Sequence, residues 1–256
     1  MAADILKIKG LSKSFGEALV LNNVSFSVAN NSIVGIVGEN GAGKSTLFNM
    51  ISGIMRPDRG RIEYRGKGIH PANYKEANLL GISRVFQEQA LIPNIAVYEN
   101  ILLSHEAYFA HFGQILDKRR MVEAAQRIVD SMKLDIDVRR RTSDYDFSKR
   151  QSIEIARACL VPRDVLSISA PLVLLDEPTS SVDPKTEALI YEEMFKAFQG
   201  KAVISSIHRL HLLSRFDYVY ILSQGRIVDE GTFTDLLHRS QVFQELWVHQ
   251  KSATAH

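Results

Sequence analysis

The nine residues "GENGAGKST" (38–46) follow directly on the uninterrupted apolar run "IVGIV" (33–37), and no other stretch limits the fold so tightly. A continuous apolar strand is one covered on both faces, which places it inside an α/β sheet. The loop after it fits G-x-x-x-x-G-K-[ST], opened by Gly38 and closed by Gly43, Lys44 and Ser45. Glycines let consecutive backbone N–H groups turn inward around phosphate oxygens. A helix opening near Lys44 adds the positive end of its dipole. The pattern therefore assigns Gly38, Glu39, Asn40, Gly41, Ala42, Gly43, Lys44, Ser45 and Thr46 to a phosphate cradle. Lys44 is expected to reach the β- and γ-phosphates of a nucleotide, and Ser45 to ligate Mg²⁺.

A second stretch supplies the acid groups such a cradle needs. "LVLLDEPTSSVD" (172–183) carries Asp176 at the end of an apolar strand, the natural place for a carboxylate that holds Mg²⁺. Glu177 beside it can polarise an attacking water, because phosphoryl transfer asks mainly for positioning and electrostatics. Taken alone, an Asp-Glu pair at a strand end is an ordinary loop feature. Next to a complete phosphate loop it reads as the other half of an ATPase site.

Around these motifs the chain patterns as an α/β core with an antiparallel β subdomain and an inserted helical subdomain. Residues 4–9, 19–28 and 61–64 alternate apolar and polar, as half-buried antiparallel strands do. From about Tyr98 to Leu134 the spacing turns helical, with Ile101 and Leu102, then Met121, Ala125, Ile128 and Met132. Residues 173–175 and 202–204 read as buried strands, and the helical stretch 185–198 between them as a crossover. We expect one domain over 1–245, with the helical insert at about 90–160 and a frayed tail over 246–256.

Bulk properties close off other classes. With 31 basic and 29 acidic residues the net charge is +2, no electrostatic case for nucleic acid. A single cysteine, Cys159, excludes an internal disulfide framework and suits a reducing compartment. The start shows no secretory signal pattern. The longest apolar stretch (165–175) is too short and interrupted to cross a bilayer, so a membrane role is expected to be peripheral.

With "VFQE" (85–88), "SSVD" (180–183) and "SSIHR" (205–209), the two motifs resemble the nucleotide-binding subunit of an ABC transporter, over about residues 5–245. The resemblance implies a P-loop NTPase core of the ABC ATPase kind, with ATP and Mg²⁺ as its cofactors and ATP hydrolysis coupled to transport. It implies that Phe15 stacks on adenine, and that Gln87 touches Mg²⁺ and senses the membrane subunit. It further implies that Asp183 communicates across a dimer and that His208 contacts the γ-phosphate. Lys44, Glu177 and His208 would then be the catalytic set, and Ser45, Gln87 and Asp176 the metal set. The implied partners are transmembrane permease subunits, a second cassette and, for an importer, a substrate-binding protein, all at the cytoplasmic face of the membrane. Residues 81–104 look like the first cassette of bacterial ribose- and galactose-type sugar importers, whereas 205–237 look more like exporter cassettes. A regulatory subunit with little hydrolysis and a soluble cassette ATPase are the competing readings. The extra cassette, coiled coil or iron–sulfur region typical of the latter is not seen.

One family motif is rewritten. The signature Leu-Ser-Gly-Gly-Gln becomes Tyr145-Asp146-Phe147-Ser148-Lys149 without a gap, or Phe147-Ser148-Lys149-Arg150-Gln151 with a two-residue deletion. Both registers lose the two glycines. In the ungapped one Asp146 puts a carboxylate where a hydroxyl donor belongs; in the gapped one Lys149 and Arg150 supply positive charge. Ser148 and Gln151 also fit a helix-capping box. The alteration leads us to expect an asymmetric pair with a second cassette rather than a homodimer. "DKRR" (117–120) and "RRR" (139–141) read as solvated charged faces, and the long link "PRDVLSISAP" (162–171) has no functional reading.

Overall fold

Five parallel strands and one antiparallel edge strand make the central sheet, in the order β12-β11-β3-β10-β9-β6. Its strands are β3 (Ile33–Val37), β6 (Ile82–Val85), β9 (Leu172–Asp176), β10 (Ala202–Ser206), β11 (Tyr218–Ser223) and β12 (Arg226–Gly231). The computed structural model describes residues 3–86, 90–111, 115–168, 172–176, 191–192, 195, 200–207 and 210–253.

Side chains alternate across a strand, and here the alternation divides one apolar run between two cores. On β9, Leu172 and Leu174 face one cluster while Val173 and Leu175 face the other. β10 repeats this, with Ala202 and Ile204 on the first side and Val203 on the second. Both faces are covered, which is why these strands read as continuous apolar segments. The first face packs α1 (Lys44–Ile51), through Leu47, Phe48, Met50 and Ile51, together with an antiparallel sheet. That sheet orders β1 (Asp4–Phe15), β2 (Ala18–Ala29), β4 (Arg59–Tyr64) and β5 (Lys67–Ile69) as β2-β1-β4-β5. It matches the alternation expected over 4–9, 19–28 and 61–64.

The second face packs the helical lobe. This comprises α3 (Val97–Ile101), α4 (Lys118–Ser131) and α5 (Phe147–Asp164), joined in one buried cluster with Val173, Leu175 and Val203. Asn100, fully buried, ties the lobe together. Its amide donates to Ile92 O at 2.8 Å and Thr142 Oγ1 at 2.7 Å, and its carbonyl accepts from Ile92 N at 2.8 Å. Before β6, α2 (Tyr74–Leu80) satisfies this edge strand, the Tyr74 hydroxyl accepting from Arg84 N at 3.1 Å and lying 3.3 Å from Arg84 O.

Three expectations are corrected. The helical pattern over 98–134 is not one helix. Leu102 caps α3, Ser104 turns left-handed at φ 71°, and a short hairpin of β7 (Ala110–His111) and β8 (Ile115–Leu116) precedes α4. The apolar positions belong to two helices that meet in one core, and periodicity alone cannot show the break. The tail after Leu246 is not frayed at its start: a helix runs over Gln241–Ala253, and Trp247 sits 5.4 Å from the Phe233 ring and 6.3 Å from Phe243. The link at 162–171 is shorter than it looked, because α5 continues through Pro162 to Asp164 and then turns back, Ile168 N donating to Pro162 O at 2.8 Å. Lys118, Arg119, Arg120 and Arg139, Arg140, Arg141 are exposed, as read.

Candidate functional site: a phosphate loop and its acid strand

The loop 38–43 closes as a tight turn, Ala42 N donating to Glu39 O at 3.2 Å. Gly43 has φ 105°, and a Cβ there would lie 2.6 Å from Leu21 Cδ2 and 3.1 Å from Val20 O. Only glycine fits this conformation and this approach. Gly43 is also the N-cap of α1, and no side chain caps that helix. The first N–H groups of a helix have no intrahelical partner, so this end suits an anion. Gly225 holds the loop from outside, its N–H donating to Ala42 O at 3.2 Å and its carbonyl accepting from Asn22 N at 2.8 Å.

A cavity of about 500 Å³ opens over the loop, lined by Val20, Asn40, Gly41, Gly43, Lys44, Ser45 and Thr46. Lys44 is buried, and its ammonium donates to Gly38 O at 2.8 Å and Glu39 O at 3.1 Å. A positive charge is thus held over the cradle by the loop's own carbonyls. Phe15 lies outside the cavity lining, at the tip of the β1–β2 hairpin, where it pairs with Ala18. It is 47% exposed, and Lys13 Nζ stands over its ring, 5.9 Å from the centroid.

Strand register brings the acid group to the same place. Ser206 ends β10 directly beside Asp176, which ends β9, and both point to the α1 face. Asp176 Oδ1 accepts from Ser206 Oγ at 3.0 Å and lies 3.4 Å from Ser45 Oγ. Its other oxygen, Oδ2, accepts from Arg84 Nη2 at 2.6 Å, both side chains being about as buried as core residues. The site sits at the carboxyl ends of parallel strands, where open α/β sheets bind ligands.

The donors fit a small hard cation held together with a nucleotide. Oxygens of Ser45 and Asp176 converge, and Mg²⁺ takes few protein oxygens and completes its shell with phosphates and water. Among the described residues no group of three or more His, Cys, Asp or Glu could hold a metal by itself. Glu177, Asp183, Gln87 and His208 lie outside the described residues. The structure therefore brings together Lys44, Ser45, Asp176 and the rest of 38–46.

Sequence reasoning missed Arg84 and Ser206. The signal for Arg84 was present: an arginine inside an otherwise apolar strand is almost never buried unless paired. Glu154 on α5 was also passed over. It is buried, and its Oε1 accepts from Ala90 N at 2.6 Å and lies 3.6 Å from Arg157 Nη2. Burial pushes this carboxyl's pKa up, against the opposing pull of Arg157 and of the Ala90 N–H. Beside it runs a groove of about 300 Å³, lined among others by Tyr74, Phe86, His105 and Arg157. Burial lowers the pKa of His105, and Glu106 opposes that shift.

At the rewritten signature the capping box of Ser148 and Gln151 does not form. Asp146 is the N-cap of α5, its Oδ1 accepting from Lys149 N at 2.8 Å, and Phe147 and Ser148 are already helical. A carboxylate wins this position because it takes the first-turn N–H and meets the helix's positive end. Tyr145 is buried with its hydroxyl on Asp137, whereas Gln151 is buried with Nε2 unpartnered among the described residues.

The fold and the loop together define an α/β protein with a glycine-rich loop that opens a cavity at a helix N-terminus. The family described as "ABC transporter" matches residues 21–180. The xylose/arabinose import ATP-binding protein XylG of Sulfolobus acidocaldarius is 32% identical over 230 residues, 88% of this chain and 87% of that one. The ribose import ATP-binding protein RbsA of Caldanaerobacter subterraneus is 31% identical, over 91% of this chain and 45% of its own length. For the galactofuranose transporter ATP-binding protein YtfR of Escherichia coli the figures are 35%, 90% and 43%. This chain spans most of the first relative and under half of the other two. Among solved structures, the ADP conformation of an ATP-binding cassette of an ABC transporter superposes with TM-score 0.80, at 27% identity over 96% of this chain and 99% of that one. A bacterial Atm1-family ABC exporter with ATP bound gives TM-score 0.75 at 26% identity, over 98% of this chain and 42% of the exporter. This chain belongs to the ABC transporter family, as one of its ATP-binding, ATP-hydrolysing cassettes.

Proposed function

We propose that this chain energises a carbohydrate importer from the cytoplasmic face of the membrane, as a peripheral subunit bound to permease subunits and supplied by a substrate-binding protein. The names of its relatives, two for import of xylose/arabinose and of ribose and one for a galactofuranose transporter, support the cargo class. Among the described residues no helix is long and apolar enough to cross a membrane, in keeping with separate membrane subunits. The groove beside Glu154 is our candidate for their docking face, since it adjoins both Phe86, next to Gln87, and the helical lobe.

The observation that carries the reading is the approach of Ser45 to Asp176 over an open phosphate cradle. Lys44 would exchange its loop carbonyls for β- and γ-phosphate oxygens. Residues 38–46 hold the phosphates, and Phe15 stacks on the adenine. Ser45, Asp176 and Gln87 would hold Mg²⁺, which supplies charge neutralisation of the phosphates when bound. Glu177 orients the attacking water and draws its proton, while His208 contacts the γ-phosphate and Asp183 links the two subunits. Glu177→Gln should trap ATP and abolish turnover. Undiminished hydrolysis in that variant would mean the water is handled by another group.

A second cassette protein completes the pair. Asp146 supports this: its exposed carboxylate occupies the N-terminus of α5, where the family's signature donates to the γ-phosphate held by the opposite subunit. Two like charges about 4 Å apart repel by about 4 kcal/mol at an effective dielectric near 20. A homodimer would meet that repulsion twice, whereas a heterodimer leaves one site with an intact partner signature. Purifying the complex through a tag on this chain should yield two different cassette proteins. Recovery of two copies of this chain as the sole cassettes would overturn the asymmetric pair.

A further inference from the structure

Arg84 is a full charge within a buried strand, with Ile82, Ser83 and Val85 all buried around it. Such a charge persists in a fold when its partners are fixed. Here they are. Besides Asp176, Nη1 donates to Asn49 Oδ1 at 2.6 Å and to Ser52 Oγ at 3.2 Å, so the guanidinium bridges β6 and β9 to the helix that follows the phosphate loop. Its Cζ lies 4.8 Å from the Phe86 ring centroid and 5.9 Å from that of Phe48.

This seat changes what Asp176 can offer. Oδ2 is taken by the guanidinium, and only Oδ1 faces Ser45 and Ser206. An arginine paired this closely also cancels the carboxylate's charge. We propose that Arg84 is the positioning residue of the cation site, turning one oxygen of Asp176 toward the cation and compensating its charge, so that the cation is retained chiefly by nucleotide phosphates and arrives with ATP. The inference rests on the reading of Asp176 as the cation's carboxylate. The compensation has a second effect: an uncompensated carboxylate beside the phosphate loop would repel a metal-free nucleotide, and Arg84 removes that repulsion.

The test measures affinity of the full chain for a non-hydrolysable ATP analogue, in EDTA and in magnesium, for the wild type, Arg84→Gln and Arg84→Lys. One uncompensated charge within about 10 Å at an effective dielectric near 20 amounts to roughly a tenfold effect. Arg84→Gln should weaken metal-free binding by about that factor and enlarge the magnesium enhancement correspondingly. Arg84→Lys, which keeps the charge but not the fork, should keep metal-free affinity within about threefold of wild type. Unchanged metal-free affinity and unchanged enhancement in Arg84→Gln would overturn the role. Should Arg84→Gln not fold, the charge-neutral double variant Asp176→Asn/Arg84→Met serves. It should keep wild-type metal-free affinity and reduce the enhancement, and a roughly tenfold change in metal-free affinity would overturn the compensation. If the wild type itself shows no magnesium enhancement, or Asp176→Asn retains it, the assignment of Asp176 falls and the proposal falls with it.

Discussion

Substituting Asp176 by Asn should unfold this chain more readily than the loss of one metal ligand would suggest. The reason is Arg84, whose side chain is 4% exposed and whose charge partner at 2.6 Å is Asp176. With the carboxylate gone, the guanidinium keeps, among the described residues, the neutral acceptors Asn49 Oδ1 and Ser52 Oγ. Breaking one side of a buried pair typically costs about 3–5 kcal/mol. Because Asn can still accept a hydrogen bond, we expect the lower end for Asp176→Asn. At about 2–4 °C per kcal/mol for a domain of this size, the midpoint should fall by roughly 6–12 °C. Arg84→Met should cost a similar amount, since it leaves a carboxylate that is only 3% exposed with, among the described residues, the hydroxyls of Ser45 and Ser206. The double variant buries no charge, and removing a buried pair as a unit is often neutral. It should lie well above the sum of the single losses, with a coupling of at least about 2 kcal/mol. Urea unfolding of the nucleotide-free chain in EDTA, followed through the single tryptophan, Trp247, reads all four proteins. Single variants within about 1 kcal/mol of wild type, or an additive double variant, would refute the claim that the pair is buried and mutually compensating.

Gly43→Ala should damage the phosphate loop directly. Its φ of 105° carries about 1–2 kcal/mol of left-handed strain for any other residue, and crowding against Leu21 and Val20 adds about 1–3 kcal/mol. Titration with a fluorescent ATP analogue should show at least about a tenfold loss of affinity, and wild-type affinity would contradict the observed backbone. Glu154→Gln should change stability with pH in a defined direction. The folded-state pKa of Glu154 is raised above its usual value, chiefly by burial, so its contribution is fully present below about pH 4.5 and is lost as pH rises through the folded pKa. The Gln variant should therefore gain in melting temperature relative to wild type from pH 4 toward neutrality, and a relative loss over that range would count against the assignment. Asp146→Ser exchanges one good helix cap for another and should leave stability within about 0.5 kcal/mol. If Asp146 is what weakens the facing nucleotide site, ATP turnover of the purified complex should rise, and unchanged turnover would remove Asp146 as the cause.

Much of this protein is legible from consecutive residues. The phosphate loop is a local device, because glycine placement, lysine and the following helix all lie within nine positions. The buried strands announce themselves by unbroken apolar runs, and the antiparallel strands by alternation, since each pattern follows from one or two covered faces. The rest needed the tertiary structure because it depends on register between distant strands. Arg84 and Asp176 are separated by 92 positions, and they meet because β6 lies beside β9 with both residues turned to the α1 face. Ser206 joins them through β10, 30 positions beyond Asp176. At the signature, the pattern offered Ser148 and Gln151 as a cap, but the helix is capped two residues earlier, by Asp146. A local pattern lists the groups able to cap, and packing of Tyr145 and the lobe selects which one stands at the helix end. What the sequence determined by itself is the chemistry available to this cassette. What only the folded chain decided is which charges are compensated and which face a ligand, because that depends on distances no linear spacing contains.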